Sequence, residues 1–161
     1  MKAILSLAAL AVAGSLACAP ALAQVKHGSE EEAQALVKKA VAHYKSAARD
    51  KALADFSQKG GSFTDRDLYV FVTDANGKSL AHGANDKLLG KDMTAIKDSK
   101  GNALVPSLIA TAAKGGGWFD YDWPDPITKK LAPKSTYAIK QPNGEGFIGR
   151  SEEHTSELQS Q

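Results

Sequence analysis

Apolar residues recur every three or four positions over residues 33–48, which is the spacing of an amphipathic helix with one buried face. Ser29 and Glu32 stand just before this run as a capping box, in which each side chain bonds the other residue's backbone amide. The apolar spacing slips over residues 46–50 and then resumes for about two turns before Gly60. The pattern therefore predicts a long helix, a bend and a short second helix.

Strand-like segments dominate the rest of the chain. β-branched and aromatic residues concentrate in short runs that are separated by glycine-containing turns. The predicted order is strand 67–73, turn 74–77, strand 78–82, helix 104–113, strands 118–123 and 134–140, and a fifth strand opening at 146–149. This order predicts an α+β fold, with the long N-terminal helix packed on a curved antiparallel sheet of about five strands, the last cut short.

The first 23 residues have the composition of an export signal. Lys2 gives a positive start, residues 3–13 are apolar, and a small-x-small triplet ends at Ala23. We predict cleavage after Ala23 and a periplasmic location, with no stable membrane span after cleavage. An uncleaved anchor is the alternative, although the apolar core is short for a span. Cys18 is the single cysteine, so a cleaved chain would contain neither a disulfide nor a thiolate ligand.

Residues 150–161 are polar and show no period. From Arg150 the chain reads RSEEHTSELQS, which resembles the conceptual translation of a common sequencing-adapter oligonucleotide. We therefore predict a single domain over residues 24–149 and a disordered tail of artefactual origin over residues 150–161. An ordinary frayed polar tail is the alternative.

Composition and motifs exclude several classes of function. The 161 residues carry 20 Lys+Arg and 18 Asp+Glu, a net charge of +2, so no basic patch for nucleic acid is expected. The sequence contains no nucleophile elbow, no phosphate-binding glycine loop and no histidine pair at metal-ligand spacing. Asp120 and Asp122 share strand parity, which solvent-facing positions explain without an acid–base pair. We predict a protein that is not an enzyme and that holds no metal or cofactor.

The informative cluster is aromatic. Both tryptophans and two of the four tyrosines fall within residues 118–137, together with Lys134. Core packing explains part of this cluster, but a buried tyrosine or tryptophan needs a hydrogen-bond partner and a lysine resists burial. Tyr121, Trp123, Lys134 and Tyr137 therefore suit a small pocket with aromatic walls, two hydroxyls and one ammonium for an anion. Strict alternation puts Lys134 and Tyr137 on opposite faces, so their meeting would require a bulge near Ser135.

Several motifs occur in the order found in single Cache domains. They are DLYVFV at 67–72, NG at 76–77, LAH at 80–82, GKD at 90–92, GGGWFDYDWP at 115–124 and PKSTY at 133–137. Over about residues 30–149 the chain resembles the exported, free-standing bacterial members of that family. The resemblance implies a PAS-like sheet and extracytoplasmic binding of a small organic anion, often a short-chain carboxylate. It also implies a membrane sensor kinase or chemoreceptor as partner.

Carried over residue by residue, the resemblance implies a defined set of ligand-binding positions. These are Tyr121, Trp123, Lys134 and Tyr137, with Tyr69 and His82 as further lining. The leading interpretation is a non-catalytic periplasmic module that senses a short-chain carboxylate. Two alternatives stay open: an interaction protein that docks a membrane sensor through the apolar stripe of its N-terminal helix, and a carrier of haem through His82.

Overall fold

The computed structural model describes residues 28–124 and 130–153, so the predicted signal peptide lies outside the described residues. The helices are α1 (Glu30–Ser46), α2 (Arg49–Phe56) and α3 (Leu104–Ala113), with one 3₁₀ turn at Asp86–Leu88. The strands are β1 (Thr64–Asp65), β2 (Leu68–Thr73), β3 (Ser79–His82), β4 (Gly117–Pro124), β5 (Leu131–Lys140) and β6 (Phe147–Glu153). The α+β prediction is confirmed.

Helix α1 begins at the predicted capping box, while α2 ends at Phe56, before the predicted stop at Gly60. The capping box of α1 is formed, since the Glu32 amide donates to Ser29 Oγ at 3.3 Å and the Ser29 amide donates to the Glu32 carboxylate at 2.9 Å. The predicted bend lies at Ala47 and Ala48, which both have extended backbone angles between the helices. Helix formation therefore follows from capping and periodicity here.

The sheet is antiparallel and β6 is its central strand. Its order is β1-β2-β6-β5-β4, and β3 pairs with the same edge of β2 as β1 does. The sheet has six strands where five were expected, because the two-residue β1 pairs with the start of β2. Such a short polar segment carries no alternation from which a strand could be predicted.

Each face of the sheet carries its own apolar core. Helices α1 and α2 cover one face, while α3 and the long connection over residues 83–103 cover the other. Val37 and Tyr44 of α1 are buried, and Leu36 and Val41 pack against the same core. The sheet thus covers Val37 and Tyr44, whereas Leu36 and Val41 are only half-buried, so the helix-docking alternative keeps part of its surface.

Strand β6 runs four residues past the domain boundary predicted at Gly149. It pairs with β5 as far as Glu153 and with β2 as far as Ser151, and Arg150 and Ser151 are buried. The polar composition of this segment gave no sign of a strand. Backbone hydrogen bonds to β5 and β2 hold it in place, and they do not require alternating apolar side chains. Residues 154–161 lie outside the described residues, where the predicted tail stays a prediction. Within the described ranges, none of the helices has the length and apolar character that a membrane crossing requires.

Candidate ligand-binding site

A cavity of about 400 Å³ lies between the sheet and the long connection over residues 83–103. Its floor comes from alternate residues of β2, β4 and β5, and its roof from the end of β3, that connection and the first turn of α3. The charged side chains of Asp67 and Lys134 lie at one end, and the roof is largely apolar. A cavity of this size and character is typical of a small-molecule site.

Five of the six predicted site residues line this cavity. They are Tyr69, His82, Tyr121, Trp123 and Lys134. Sequence reasoning brought Tyr121 and Lys134 together correctly, since they are direct cross-strand partners of β4 and β5.

Tyr137 does not line the cavity, and the expectation of a bulge near Ser135 is wrong. The pairing of β4 with β5 runs without a shift from Gly117 opposite Ala138 to Pro124 opposite Leu131. Tyr137 therefore stays on the face that carries α1, where its ring lies 5.2 Å from that of Trp118. Unbroken alternation keeps odd and even positions of a strand on opposite faces.

Lys134 is the electrostatic centre of the site. Its side chain is 6 % exposed, although it lines the cavity. Among the side chains that the structure describes, those of residues 28–123 and 130–151, it forms no ion pair. An ammonium withdrawn from water is unfavourable unless an anion pairs with it, so the immediate surroundings of Lys134 favour an anionic group, although the Asp67 carboxylate lines the same end of the cavity.

Tyr121 forms the wall beside Lys134. Its hydroxyl bonds Thr136 Oγ1 at 3.0 Å and Ser151 Oγ at 2.9 Å, and burial raises the pKa of the phenol. The phenol is therefore neutral at ordinary pH. Because two protein hydroxyls bond its own hydroxyl, Tyr121 presents mainly its ring to the cavity. The centroid of this ring lies 6.4 Å from that of Trp123.

His82 is held as a neutral imidazole. Nδ1 accepts the backbone amides of Ala84 at 3.3 Å and Asn85 at 3.1 Å, and the ring stacks on Tyr69 with centroids 4.9 Å apart. Burial lowers the pKa of His82 to about 4. With Nδ1 acting as acceptor, the proton of the neutral ring is carried by Nε2, which makes Nε2 a hydrogen-bond donor.

The depressed pKa of His82 predicts how stability depends on pH. The unfolded histidine titrates near 6.5 and the folded one near 4, so the unfolded state binds more protons between these values. The free energy of unfolding should fall as pH drops from 6.5 to 4, by on the order of 2–3 kcal/mol from this group. We expect His82→Gln to remove that part of the decline in urea unfolding measured across this range. Parallel pH profiles for the two proteins would contradict the assignment.

Sequence reasoning missed the apolar roof. Met93 and Ile96 come from the connection over residues 83–103, and Leu104 and Val105 from the start of α3. The available signal was a set of isolated apolar residues in an otherwise polar loop, at positions 88, 93 and 96. Within the part of the chain that the structure describes, no cluster of three His, Cys, Asp or Glu side chains could hold a metal ion.

An antiparallel sheet with α1 and α2 on one face and a ligand-sized cavity on the other is the arrangement of a PAS-like sensor domain. Residues 16–152 match the family Single Cache domain 2, and the chain belongs to that family. The match extends beyond the predicted domain of residues 24–149 at both ends. Single Cache domains are extracytoplasmic sensors and non-catalytic signalling modules.

Two curated relatives are signalling proteins. The sensor histidine kinase MctS of Rhizobium johnstonii is 30% identical over 84 residues, which are 52% of this chain and 18% of the kinase. The methyl-accepting chemotaxis protein McpP of Pseudomonas putida is 34% identical over 74 residues, which are 45% of this chain and 14% of the receptor. The aligned part of this chain thus spans less than a fifth of either relative.

Two solved structures share the fold. A methyl-accepting chemotaxis protein from Vibrio parahaemolyticus superimposes with a TM-score of 0.64 at 24% identity, covering 75% of this chain and 85% of that one. A Cache chemosensory domain, whose structure is described as the basis for carboxylic acid recognition, gives a TM-score of 0.57 at 26% identity with the same coverage of 75% and 85%. These similarities confirm the predicted Cache architecture.

Proposed function

We propose that this protein is an extracytoplasmic, non-catalytic module that binds and senses a small monocarboxylate. The observation that carries the proposal is Lys134, a buried ammonium that lines the cavity and forms no ion pair among the described residues. Similarity to a Cache domain with carboxylic acid recognition in its description supports the same ligand class.

The proposed roles follow from the site geometry. Lys134 would pair with the carboxylate, and Nε2 of His82 supplies a second, neutral donor from the roof. The rings of Tyr121 and Trp123 would shape the wall, and Tyr69 keeps His82 in place by stacking.

Export and signalling partner are part of the same proposal. A signal peptide cleaved after Ala23 would release the domain into the periplasm, as its composition predicts. The relatives are a sensor kinase and a chemotaxis receptor, which supports a membrane sensor of one of these kinds as the signalling partner.

Titration with propionate and with its neutral isostere propionamide tests the proposal. Two hydrogen bonds to a charged carboxylate in a partly dry pocket contribute roughly 3–6 kcal/mol before ordering costs, which corresponds to a Kd of about 40 μM at best. We expect acetate, propionate, pyruvate or lactate to raise the melting temperature and to give calorimetric binding, whereas propionamide should do neither. Equal binding of propionate and propionamide, or no response to any acid, would contradict the proposal.

A further inference from the structure

We propose that the cognate ligand is an elongated monocarboxylate with an unbranched apolar tail, typified by hexanoate, and not a two- or three-carbon acid. This inference rests on the proposed function and adds the shape and chemistry of the ligand beyond its carboxylate. Three independent features of the cavity support it: its length, the character of its walls and its volume.

The cavity is long, and its cation lies at one end. Asp67, Tyr69, Phe71 and Thr73 line the floor in succession, a span of roughly 20 Å at the usual rise of a strand. In β6, Ser151 pairs with Tyr69 of β2, so Glu153, two residues later, lies level with Asp67. Lys134 of β5 pairs with Glu153, which places Lys134 at the Asp67 end of the cavity. Ser79, the partner of Thr73, closes the opposite end.

The walls between the two ends are apolar. The described lining contains one cation, Lys134, and one carboxylate, Asp67, both at the same end. The remaining length is bounded mainly by Phe71, Leu88, Met93, Ile96, Leu104 and Val105. A ligand anchored at Lys134 and directed along the floor would thus pass between hydrocarbon side chains.

The volume exceeds what a short acid fills. About 400 Å³ has room for on the order of ten water molecules, while propionate has only five heavy atoms. A short acid would leave most of the apolar wall facing water. Each buried methylene contributes about a fourfold gain in affinity, so the wall selects for a tail that covers it.

A chain-length series measured by calorimetry on the full chain tests this inference. We expect hexanoate to bind at least tenfold more tightly than propionate, with butyrate between them. Hexanoate affinity within twofold of that of propionate, or weaker, would overturn the inference while leaving the proposed function intact. Failure of every acid to bind would instead overturn the proposed function.

Two variants that narrow the cavity test where the apolar tail of the ligand lies. Met93 lies at the far end, since its amide donates to the Gly77 carbonyl at 3.0 Å in the turn between β2 and β3. Because extended hexanoate is shorter than the cavity, the probe for this end is decanoate: we expect Met93→Trp to weaken decanoate at least fivefold and to leave propionate within twofold. Ile96→Trp, at a half-buried roof position, serves as the second variant if the first fails to fold.

Leu89→Trp is the matched control, because Leu89 is 40 % exposed and does not line the cavity. It should bind both acids like the wild type, and circular dichroism should show that all three variants are folded. Equal weakening of decanoate and propionate by a folded narrowing variant, or no weakening of either, would overturn the assignment of this end to the tail.

Discussion

Lys134→Met should abolish measurable carboxylate binding without destabilising the fold. Methionine keeps an unbranched stem of similar length and removes the ammonium that the carboxylate would pair with. Losing one partner of a buried charge pair costs about 2–5 kcal/mol of binding free energy, or roughly a 30- to 5000-fold loss of affinity. In the ligand-free protein the same change removes a cation that is 6 % exposed and forms no ion pair among the described residues. The free energy of unfolding should then be unchanged or up to about 2 kcal/mol higher.

The measurement combines calorimetric titration with urea unfolding, and Lys140→Met is the control. Lys140 belongs to the same strand but is exposed. We expect this control to bind propionate like the wild type and to keep its stability. Binding by Lys134→Met within threefold of the wild type would show that the carboxylate sits elsewhere, and a clear loss of stability would show that Lys134 serves the fold instead.

Gly146→Ala should destabilise the protein by at least about 3 kcal/mol, because it combines backbone strain with a collision. Gly146 has φ +66° and immediately precedes β6. A Cβ there would lie 2.0 Å from the Thr73 carbonyl oxygen and 2.5 Å from the Asp74 carbonyl carbon. These are backbone atoms at the end of β2, so they cannot move away without disturbing its pairing with β6.

Gly144→Ala separates collision from strain. Gly144 also has a positive φ, +82°, but nothing lies within 4 Å of the added Cβ. We expect this variant to lose only roughly 1–2 kcal/mol, the ordinary cost of a left-handed alanine. Urea unfolding of both variants measures the difference, and equal losses would refute the close approach of the turn to β2.

Local signals predicted much of this fold. The capping box at Ser29 and the three-four spacing after it were sufficient for α1, and the turn at Gly77 was sufficient for the hairpin of β2 and β3. Both patterns involve residues close in sequence. The grouping of Tyr121 with Lys134, made from the aromatic cluster and the family resemblance, agrees with their cross-strand pairing and with their shared cavity.

The errors concern contacts between segments distant in sequence. Tyr137 was assigned to the pocket from the aromatic cluster and the family resemblance, although strict alternation put it on the opposite face from Lys134. The strand at residues 150–153 is polar, and its order comes from β5 and β2 on either side. The roof residues Met93 and Ile96 gain their role only when the connection folds over the sheet. None of these contacts leaves a periodic trace in the local sequence.

One strand joins the two sides of this molecule. Successive side chains of β5 project alternately, so Lys134 enters the cavity while Tyr137 packs in the layer beneath α1. Any tilt of β5 that accompanies capture of an anion must also displace the packing under the N-terminal helix. A movement of the bound ligand can therefore reach the layer beneath the N-terminal helix through β5 alone, without passing through a loop or a hinge.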